Sequence, residues 1–305
     1  MIRSLHDLPD EIGVAYERQR AAHRTERDVI PSLLSQPNTI DAWRHRRMYE
    51  PIKPIVEKSD SWLTVGDSGA DAFWLNTQGV SNVTASSITD HQLKNLQSRG
   101  MLKAIEVREI NAEKIELEDG AVDFVLCKEA FHHFPRPLVG FYEMLRVCRK
   151  GVVLLAEPYD DRMNRPLNVL KDFIKRLIRR NTPMENSLFE PSGNYIYGVS
   201  LDEIHKAAIA LQLPGIYYLR MNDFFHHSIS RKPIDHSQSR KLTKFAVGVQ
   251  DSMAKAGLLS WGSVTVVVLK QPLKETAKEN LGKVGFKSCD IPINPFIAPN
   301  DECSK

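Results

Sequence analysis

Short apolar runs, each followed by a stretch with helical periodicity, recur through the middle of the chain. Five of these runs predict strands at residues 62–65, 82–86, 104–110, 122–127 and 151–157. Two more strand candidates, 215–225 and 263–270, flank a helical stretch near the far end. Alternating strands and helices form a parallel sheet, whose ligands lie beyond the carboxyl ends of the strands. The pattern therefore predicts an α/β fold with a Rossmann-like, doubly wound sheet of seven mostly parallel strands.

The alternation is absent at both ends of the chain and is interrupted once in its interior. We expect a helical cap at 1–58, the main domain at 59–272 and a peripheral segment at 273–305. Residues 159–200 exceed an ordinary connection, so we expect a helical insertion or lid there. Within it, residues 167–180 predict a basic amphipathic helix. That helix either covers the domain with its basic residues in solvent, or contacts an anionic membrane surface or a phosphate-bearing substrate.

Composition and charge narrow the class of protein. The 305 residues are 42% hydrophobic and 26% charged, as in a globular protein, and the net charge of +3 does not favour nucleic acid as a default partner. The four cysteines have no metal-ligand spacing, and no metal site is expected. Since the chain also lacks the apolar run of a signal peptide or membrane span, we expect reduced thiols and a cytoplasmic location.

Polar residues gather where two predicted strands end. Lys128 and Glu129 follow the fourth strand, the pair His132 and His133 follows within a few residues, and Glu157 ends the fifth. A histidine has a suitable pKa to take a proton from a hydroxyl near neutral pH, which makes His132 a candidate base. The alternative is a histidine that holds the loop by bonding to its backbone.

Four motifs occur in order in this part of the chain. They are Asn111-Ala112-Glu113, the EDGAVDFV run at 118–125, His132-His133-Phe134-Pro135 and Glu143-Met144-Leu145-Arg146-Val147. In this order they resemble a class I S-adenosylmethionine-dependent methyltransferase of the type 11 kind. The resemblance covers residues 60–160 by sequence and 210–270 by architecture. It implies S-adenosylmethionine as the cofactor and methyl transfer as the reaction.

The resemblance also implies which residues contact the cofactor. Asp67 matches the acid that meets its methionine end, and Gly69 matches the first glycine of the turn after strand one. Asp71 stands where the family has the next glycine. Ser87 stands where a carboxylate usually binds the ribose, and we place Ile88 beside it in the same site. Taken alone, Asp67 and Asp71 are better explained as a helix cap and a first-turn acid than as ligands.

The remaining contacts implied by the resemblance lie on the loops after strands three and four. The Asn111 side chain matches the partner of the adenine amino group, and the Ala112 backbone matches the contact to the ring. Lys128 and Glu129 match positions that face the methionine and the substrate. We therefore expect Lys128 to bind the cofactor, and Glu129 and His132 to be the catalytic residues.

Three functions remain open on the sequence. The favoured one is a methyltransferase that acts on oxygen of a small-molecule or glycan acceptor. The second is a non-catalytic binding module, suggested by Asp71, Phe73 and Ser87 in cofactor positions. The third is a lipid or quinone methyltransferase at a membrane surface, suggested by residues 167–180. If Asp67 serves the cofactor, Asp67→Ala should abolish cofactor binding and leave the melting temperature nearly unchanged.

Overall fold

A single eight-stranded sheet forms the centre of the protein. The computed structural model describes residues 14–21, 30–161, 165–170, 189 and 195–296. In spatial order the strands are β3-β2-β1-β4-β5-β7-β6-β8. Their bounds are β1 Ser61–Val65, β2 Asn82–Ser87, β3 Glu106–Glu109, β4 Val122–Lys128, β5 Cys148–Pro158, β6 Gly215–Met221, β7 Ser263–Leu269 and β8 Lys287–Cys289.

The first five strands are parallel, as the alternating pattern predicts. β7 pairs antiparallel with both β5 and β6. Two buried apolar clusters join the strands to the flanking helices, one including Trp74 and Leu93 from helices and the other including Phe141 and Ile204. β1 is buried along its whole length, which explains why its sequence shows an apolar run without alternation. The Rossmann-like, doubly wound prediction is confirmed.

The strand count differs from the prediction by one. Lys287–Cys289 pairs antiparallel with β6 and forms an eighth strand inside the segment predicted to be peripheral. Three residues without an apolar run carry no strand signal, so the sequence could not indicate it. β3 is shorter than expected and β5 is longer, at the strand ends where sequence patterns are least informative.

Helices connect the strands and precede the sheet. Residues 14–21 are helical, and a new helix begins after Pro31. The labelled helices are α1 Ser32–Ser35, α2 Ile40–Tyr49, α3 Ala70–Thr77, α4 His91–Ser98, α5 Pro137–Val147, α6 Leu201–Ala210, α7 His227–Ser230, α8 Ser237–Lys255 and α9 Glu275–Lys283. A 3₁₀ helix, Glu50–Ile55, leads from α2 toward β1. The predicted domain boundaries at 58 and 272 stay predictions.

Only the beginning of the predicted amphipathic helix is described. Residues 166–170 are helical, and the Leu167 backbone N–H donates to the Leu258 carbonyl at 3.1 Å. Residues 171–180, with all five basic positions of that helix, lie outside the described residues. In the described ranges no helix has both the length and the apolar character needed to cross a membrane.

Candidate functional site

The turn after β1 is shaped by two glycines in the left-handed region. Gly66 has φ +69° and Gly69 has φ +97°. A Cβ on Gly66 would lie 2.5 Å from the Cβ of Ala130, and one on Gly69 would lie 2.5 Å from Leu96 Cδ1. Gly66 requires glycine on both grounds, because the Ala130 Cβ cannot move aside; at Gly69 Leu96 can shift, and the left-handed backbone is what favours glycine. Gly66 was not among the predicted site residues, although its place directly after a buried strand was an available signal.

The Asp67 carboxylate is used entirely within this turn. One oxygen accepts hydrogen bonds from the backbone N–H of Gly69 at 2.6 Å and of Asp71 at 3.1 Å. The other accepts from the Ala72 N–H at 3.0 Å and the Thr64 hydroxyl at 2.8 Å. Burial raises the pKa of Asp67, and these four hydrogen bonds oppose the rise. Asp67 therefore acts on a bound ligand by shaping the turn, because both of its carboxylate oxygens already accept hydrogen bonds within it.

Asp71 lies beneath the cap of helices, four residues further on. Its carboxylate accepts a hydrogen bond from the Tyr49 hydroxyl at the end of α2. Burial, followed by the neighbouring charge of Asp67, raises the pKa of Asp71 well above its ordinary value, while Lys128 opposes the rise. Asp71 also lines the large cleft described below. It is thus a buried acid that holds a proton more strongly than a surface carboxylate does.

An ionic cluster forms where β4 ends. The Lys128 ammonium donates to the Glu129 carboxylate and lies 3.2 Å from His45 Nδ1. His45 Nδ1 is also 3.8 Å from Glu129 Oε2, and its Nε2 is 3.9 Å from Asp41 Oδ2. Glu129 has φ +48°, an uncommon conformation for a residue with a side chain, and such positions concentrate at functional sites. Here the fold directs a charged side chain outward at the carboxyl edge of the sheet.

The protonation states of this cluster follow from its surroundings. Burial and then the charge of Lys128 lower the pKa of His45, although Glu129 and Asp41 oppose this. For Glu129, burial acts upward, but the positive charges of Lys128 and Arg44 outweigh it and lower the pKa. A neutral imidazole therefore lies beside an ionised carboxylate near pH 7.

His132 and Glu157 form a separate, deeper pair. His132 Nδ1 is 2.7 Å from Glu157 Oε2, and the Glu157 side chain is fully buried. The same carboxylate accepts from the backbone N–H of Ala130 at 2.9 Å, of Phe131 at 3.1 Å and of His132 at 3.3 Å. His132 lines neither of the two cavities described below. This geometry supports a histidine that holds the loop after β4, and its predicted catalytic role stays a prediction.

The positions predicted to bind a nucleoside lie around one small cavity of about 160 Å³. Ser87 and Ile88 contribute from the end of β2, and Ala112 from the loop after β3. Asn111 lies beside this cavity, where its side-chain oxygen accepts from the Glu113 N–H at 2.9 Å. Tyr16 and Gln19, from the helical residues 14–21, close the opposite wall.

A second, larger cleft of about 860 Å³ adjoins the first. It is lined by Asp71, Lys128 and Glu129 from the sheet side and by α1 and α2 from the cap. Gly66 and Glu129 line both cavities, so the two meet above the carboxyl ends of β1 and β4. Of the predicted site residues, Ser87, Ile88 and Ala112 lie on the small side, Asp71 and Lys128 on the large side, and Glu129 between them. Asp67 and Gly69 form the turn beneath.

The cap supplies residues that the sequence did not single out. Arg44 is buried and donates to Asp41 at 2.7 Å and, with two nitrogens, to Asp223. This network fixes α2 so that His45 reaches the end of β4 and Tyr49 reaches the start of α3. His45 lies 83 positions from Lys128 in the sequence, and no local pattern marks it.

Comparisons with known proteins bear on residues 63–156, which match the methyltransferase domain family. A protein named "Probable phthiotriol/phenolphthiotriol dimycocerosates methyltransferase 2", from Mycobacterium ulcerans strain Agy99, is 32% identical over 89 residues. That alignment covers 29% of this chain and 34% of the relative, so the chain spans about a third of the length of the curated relative it matches.

Two solved structures are also similar. The YcgJ protein from Bacillus subtilis is 16% identical, with a TM-score of 0.46, covering 75% of this chain and 100% of that one. A SAM-dependent methyltransferase from Aquifex aeolicus is 21% identical, with a TM-score of 0.33, covering 50% of this chain and 87% of that one.

The family match spans the parallel half of the sheet. It begins within β1 and ends within β5, so it contains the glycine turn, the ends of β2 and β4, and the loop held by Glu157. The strand order and the motifs of this region agree with that match. Residues 63–156 therefore match the methyltransferase domain family, and they lie in the parallel half of a Rossmann-like, doubly wound sheet.

Proposed function

We propose that the chain transfers a methyl group from S-adenosylmethionine to a hydroxyl oxygen of a small polar or glycan acceptor. The observation that carries this proposal is the meeting of two cavities at Gly66 and Glu129, above the carboxyl ends of β1 and β4. In a parallel sheet this edge is where ligands bind. A donor in one cavity and an acceptor in the other would come together at that junction.

The residues present fit the cofactor. Ile88, Ile110 and Ala112 give the small cavity apolar walls suited to a flat base, and Ser87 adds a hydroxyl. The turn from Gly66 to Gly69 brings the backbone close to the junction without intervening side chains. The ionised Glu129 puts a negative charge beside the junction, where a sulfonium and an amino group carry positive charge, and Asp71 adds a carboxyl group for hydrogen bonding. When bound, the cofactor supplies the methyl group, its C–S electron pair passing to sulfur as the new C–O bond forms.

The large cleft supports a polar acceptor. Most of its lining side chains carry hydrogen-bonding groups suited to several hydroxyls of one ligand. They are Ser32, Ser35, Gln36, Thr39, Asp41, His45, Ser68, Asp71, Gln92, Lys128, Glu129, His227, Ser230 and Arg231. A polyhydroxylated acceptor such as a sugar can use these groups, and the exposed surface between them, which is mostly apolar, can pack against the faces of its rings.

The proton of the acceptor hydroxyl needs a destination as the methyl group is transferred. His45 is neutral near pH 7 and lines the acceptor cleft, so it is suited to accept that proton. Glu129, 3.8 Å from His45 Nδ1, would stabilise the imidazolium that forms. His132 would act one step away, by holding through Glu157 the loop that follows Glu129.

A second candidate is a lipid acceptor. The name of the Mycobacterium ulcerans relative describes a methyltransferase of a mycobacterial lipid, over 29% of this chain. The predicted basic helix 167–180 points the same way, since it would suit an anionic membrane surface. The number of hydrogen-bonding side chains around the large cleft favours the sugar acceptor, whereas the mostly apolar surface between them also suits a lipid.

The test is methyl transfer from tritiated S-adenosylmethionine to a panel of methyl hexosides, nucleotide sugars and a short-chain phospholipid. We expect label on a sugar, and a rate about 10² to 10⁴ times lower in His45→Asn with cofactor affinity unchanged. Glu116→Gln, which changes an exposed acid that lines neither cavity, is the control. Label on the phospholipid alone would favour the second candidate. Cofactor binding without transfer to any acceptor of the panel would count against the proposed acceptor, and no binding at all would leave a methyltransferase-like binding module.

A further inference from the structure

The helical residues 14–21 lie with one face against the small cavity. Gln19 is buried, Tyr16 and Arg20 are half-buried, and Val14, Glu17 and Arg18 are exposed. Spacings of three and four residues put the first three on one side of a helix. This part of the predicted cap is therefore an ordered wall of the site.

Three contacts hold that wall in place. The Gln19 side-chain amide donates to the His133 carbonyl, and the Arg20 guanidinium lies 3.7 Å from the Glu109 carboxylate at the end of β3. The Tyr16 hydroxyl faces the Glu113 carboxylate; burial and then that carboxylate raise the pKa of Tyr16. All three partners lie on the ends of β3 and β4 or on their following loops, which form the rim of the cavity.

Polar groups that could bind a nucleoside are few in this cavity. A nucleoside brings two ribose hydroxyls and a flat base with both donors and acceptors. Among the described lining residues, the polar side chains are those of Tyr16, Gln19, Ser87, Glu129 and His133. Ser87 offers one hydroxyl, and Glu129 is engaged with Lys128. The Gln19 amide has both a donor and an acceptor, so it can bind a hydroxyl or a base edge while it keeps its bond to His133.

Tyr16 adds a flat aromatic face. Its hydroxyl is buried and lies next to the Glu113 and Asn111 side chains. The ring is therefore the part of Tyr16 that we assign to a ligand in the cavity. With residues 14–21 in place the cavity measures about 160 Å³, below the roughly 300 to 1,000 Å³ typical of ligand sites. Anything bound there would touch this wall.

We propose that Tyr16 and Gln19 bind the nucleoside end of the cofactor, the Tyr16 ring against the base and the Gln19 amide on its polar edge or the ribose. The inference rests on the proposed function, because it assumes that the small cavity is the nucleoside site. It assigns to a segment outside the matched residues 63–156 a direct part in cofactor recognition.

The experiment is calorimetric titration of the full chain with S-adenosylhomocysteine and, separately, with 5′-methylthioadenosine, which has the nucleoside but no amino-acid group. Gln19→Ala should lower the affinity for both ligands about five- to tenfold, which is the effect of losing one hydrogen bond. Tyr16→Ala should weaken both about tenfold or more, as removal of an aromatic ring stacked on a base does. Tyr16→Phe should keep most of the affinity. Arg18→Gln, on the exposed face of the same helix, is the matched control.

The outcomes separate the two claims. If the wild-type chain binds both ligands and the Tyr16 and Gln19 variants bind them within twofold, the inference is wrong and the proposed function stands. Tighter binding by the variants would also overturn it, because residues 14–21 would then compete with the cofactor. If the variants bind only S-adenosylhomocysteine more weakly, the contact lies at the amino-acid end of the cofactor and the inference is wrong. If the folded wild-type chain binds neither ligand, the proposed function fails and the inference fails with it. Circular dichroism of each variant checks its fold.

Discussion

Replacement of Asp67 should destabilise the protein in proportion to the hydrogen bonds that it loses. The carboxylate is buried and accepts four hydrogen bonds, three from backbone N–H groups of the turn and one from Thr64. Asp67→Ala leaves these buried donors without a partner, which should cost about 3–5 kcal/mol of unfolding free energy. Asp67→Asn keeps one acceptor oxygen and should lose about half of that. Thr64→Val, which removes one donor, should lose least.

Thermal unfolding followed by circular dichroism measures this series. At about 2 °C per kcal/mol for a chain of this size, Asp67→Ala should melt roughly 6–10 °C below the wild type. Binding of S-adenosylhomocysteine should fall in the same order, because the turn supports the junction of the cavities. A variant that melts within 1 °C of the wild type but has lost the ligand would refute this reasoning. Such a variant would support the expectation from sequence that Asp67 meets the cofactor directly.

Three further changes test other parts of the site. Gly66→Ala should lower the free energy of unfolding, measured in urea, by about 2–4 kcal/mol, because its Cβ would meet Ala130 and its backbone would be left-handed. An unchanged urea midpoint would contradict the close approach of Gly66 to Ala130. The folded-state pKa of Asp71 is raised, so the stability it contributes is complete below its unfolded pKa and is lost as pH rises through the folded value. Melting temperatures should therefore fall with rising pH more steeply in the wild type than in Asp71→Asn, and parallel curves would count against a buried, protonated acid. Glu157→Gln should lower the free energy of unfolding by about 2–4 kcal/mol, because it weakens the hydrogen bonds that hold the loop after β4. The control Glu116→Gln should leave it almost unchanged. Equal urea midpoints for the two variants would contradict the role of Glu157.

The parallel half of the sheet could be predicted because its strands are buried on both faces. Such strands read as uninterrupted apolar runs, and the polar residues that end them stand out at once. Lys128 and Glu129 were found in this way, and the structure puts both at the large cleft. β8 has no apolar run, and it forms only because β6 leaves an edge for it to pair with.

The orientation of individual carboxylates could not be predicted from position. Asp67 follows a strand in the same way as Glu129 does, yet its carboxylate turns inward onto four donors while Glu129 lies between two cavities. The direction in which each carboxylate points depends on backbone dihedral angles and on nearby N–H groups, and the residue type reveals neither.

The residues that the helical cap contributes to the site could not be predicted from the sequence either. Gln19 meets His133 across 114 positions and His45 meets Lys128 across 83. Helical periodicity indicates which face of a helix is buried, but not which part of the chain it is buried against. Only the folded structure brings Tyr16, Gln19 and His45 to the carboxyl edge of the sheet.

The central claim is that donor and acceptor meet at Gly66 and Glu129, and a crystal structure of the complex with S-adenosylhomocysteine tests it most directly. The account predicts the adenosine beside Ser87, Ile88 and Ala112, with the sulfur at the junction and open to the large cleft. Adenosine bound within the large cleft, or well-ordered crystals that take up no ligand at millimolar concentration, would contradict it.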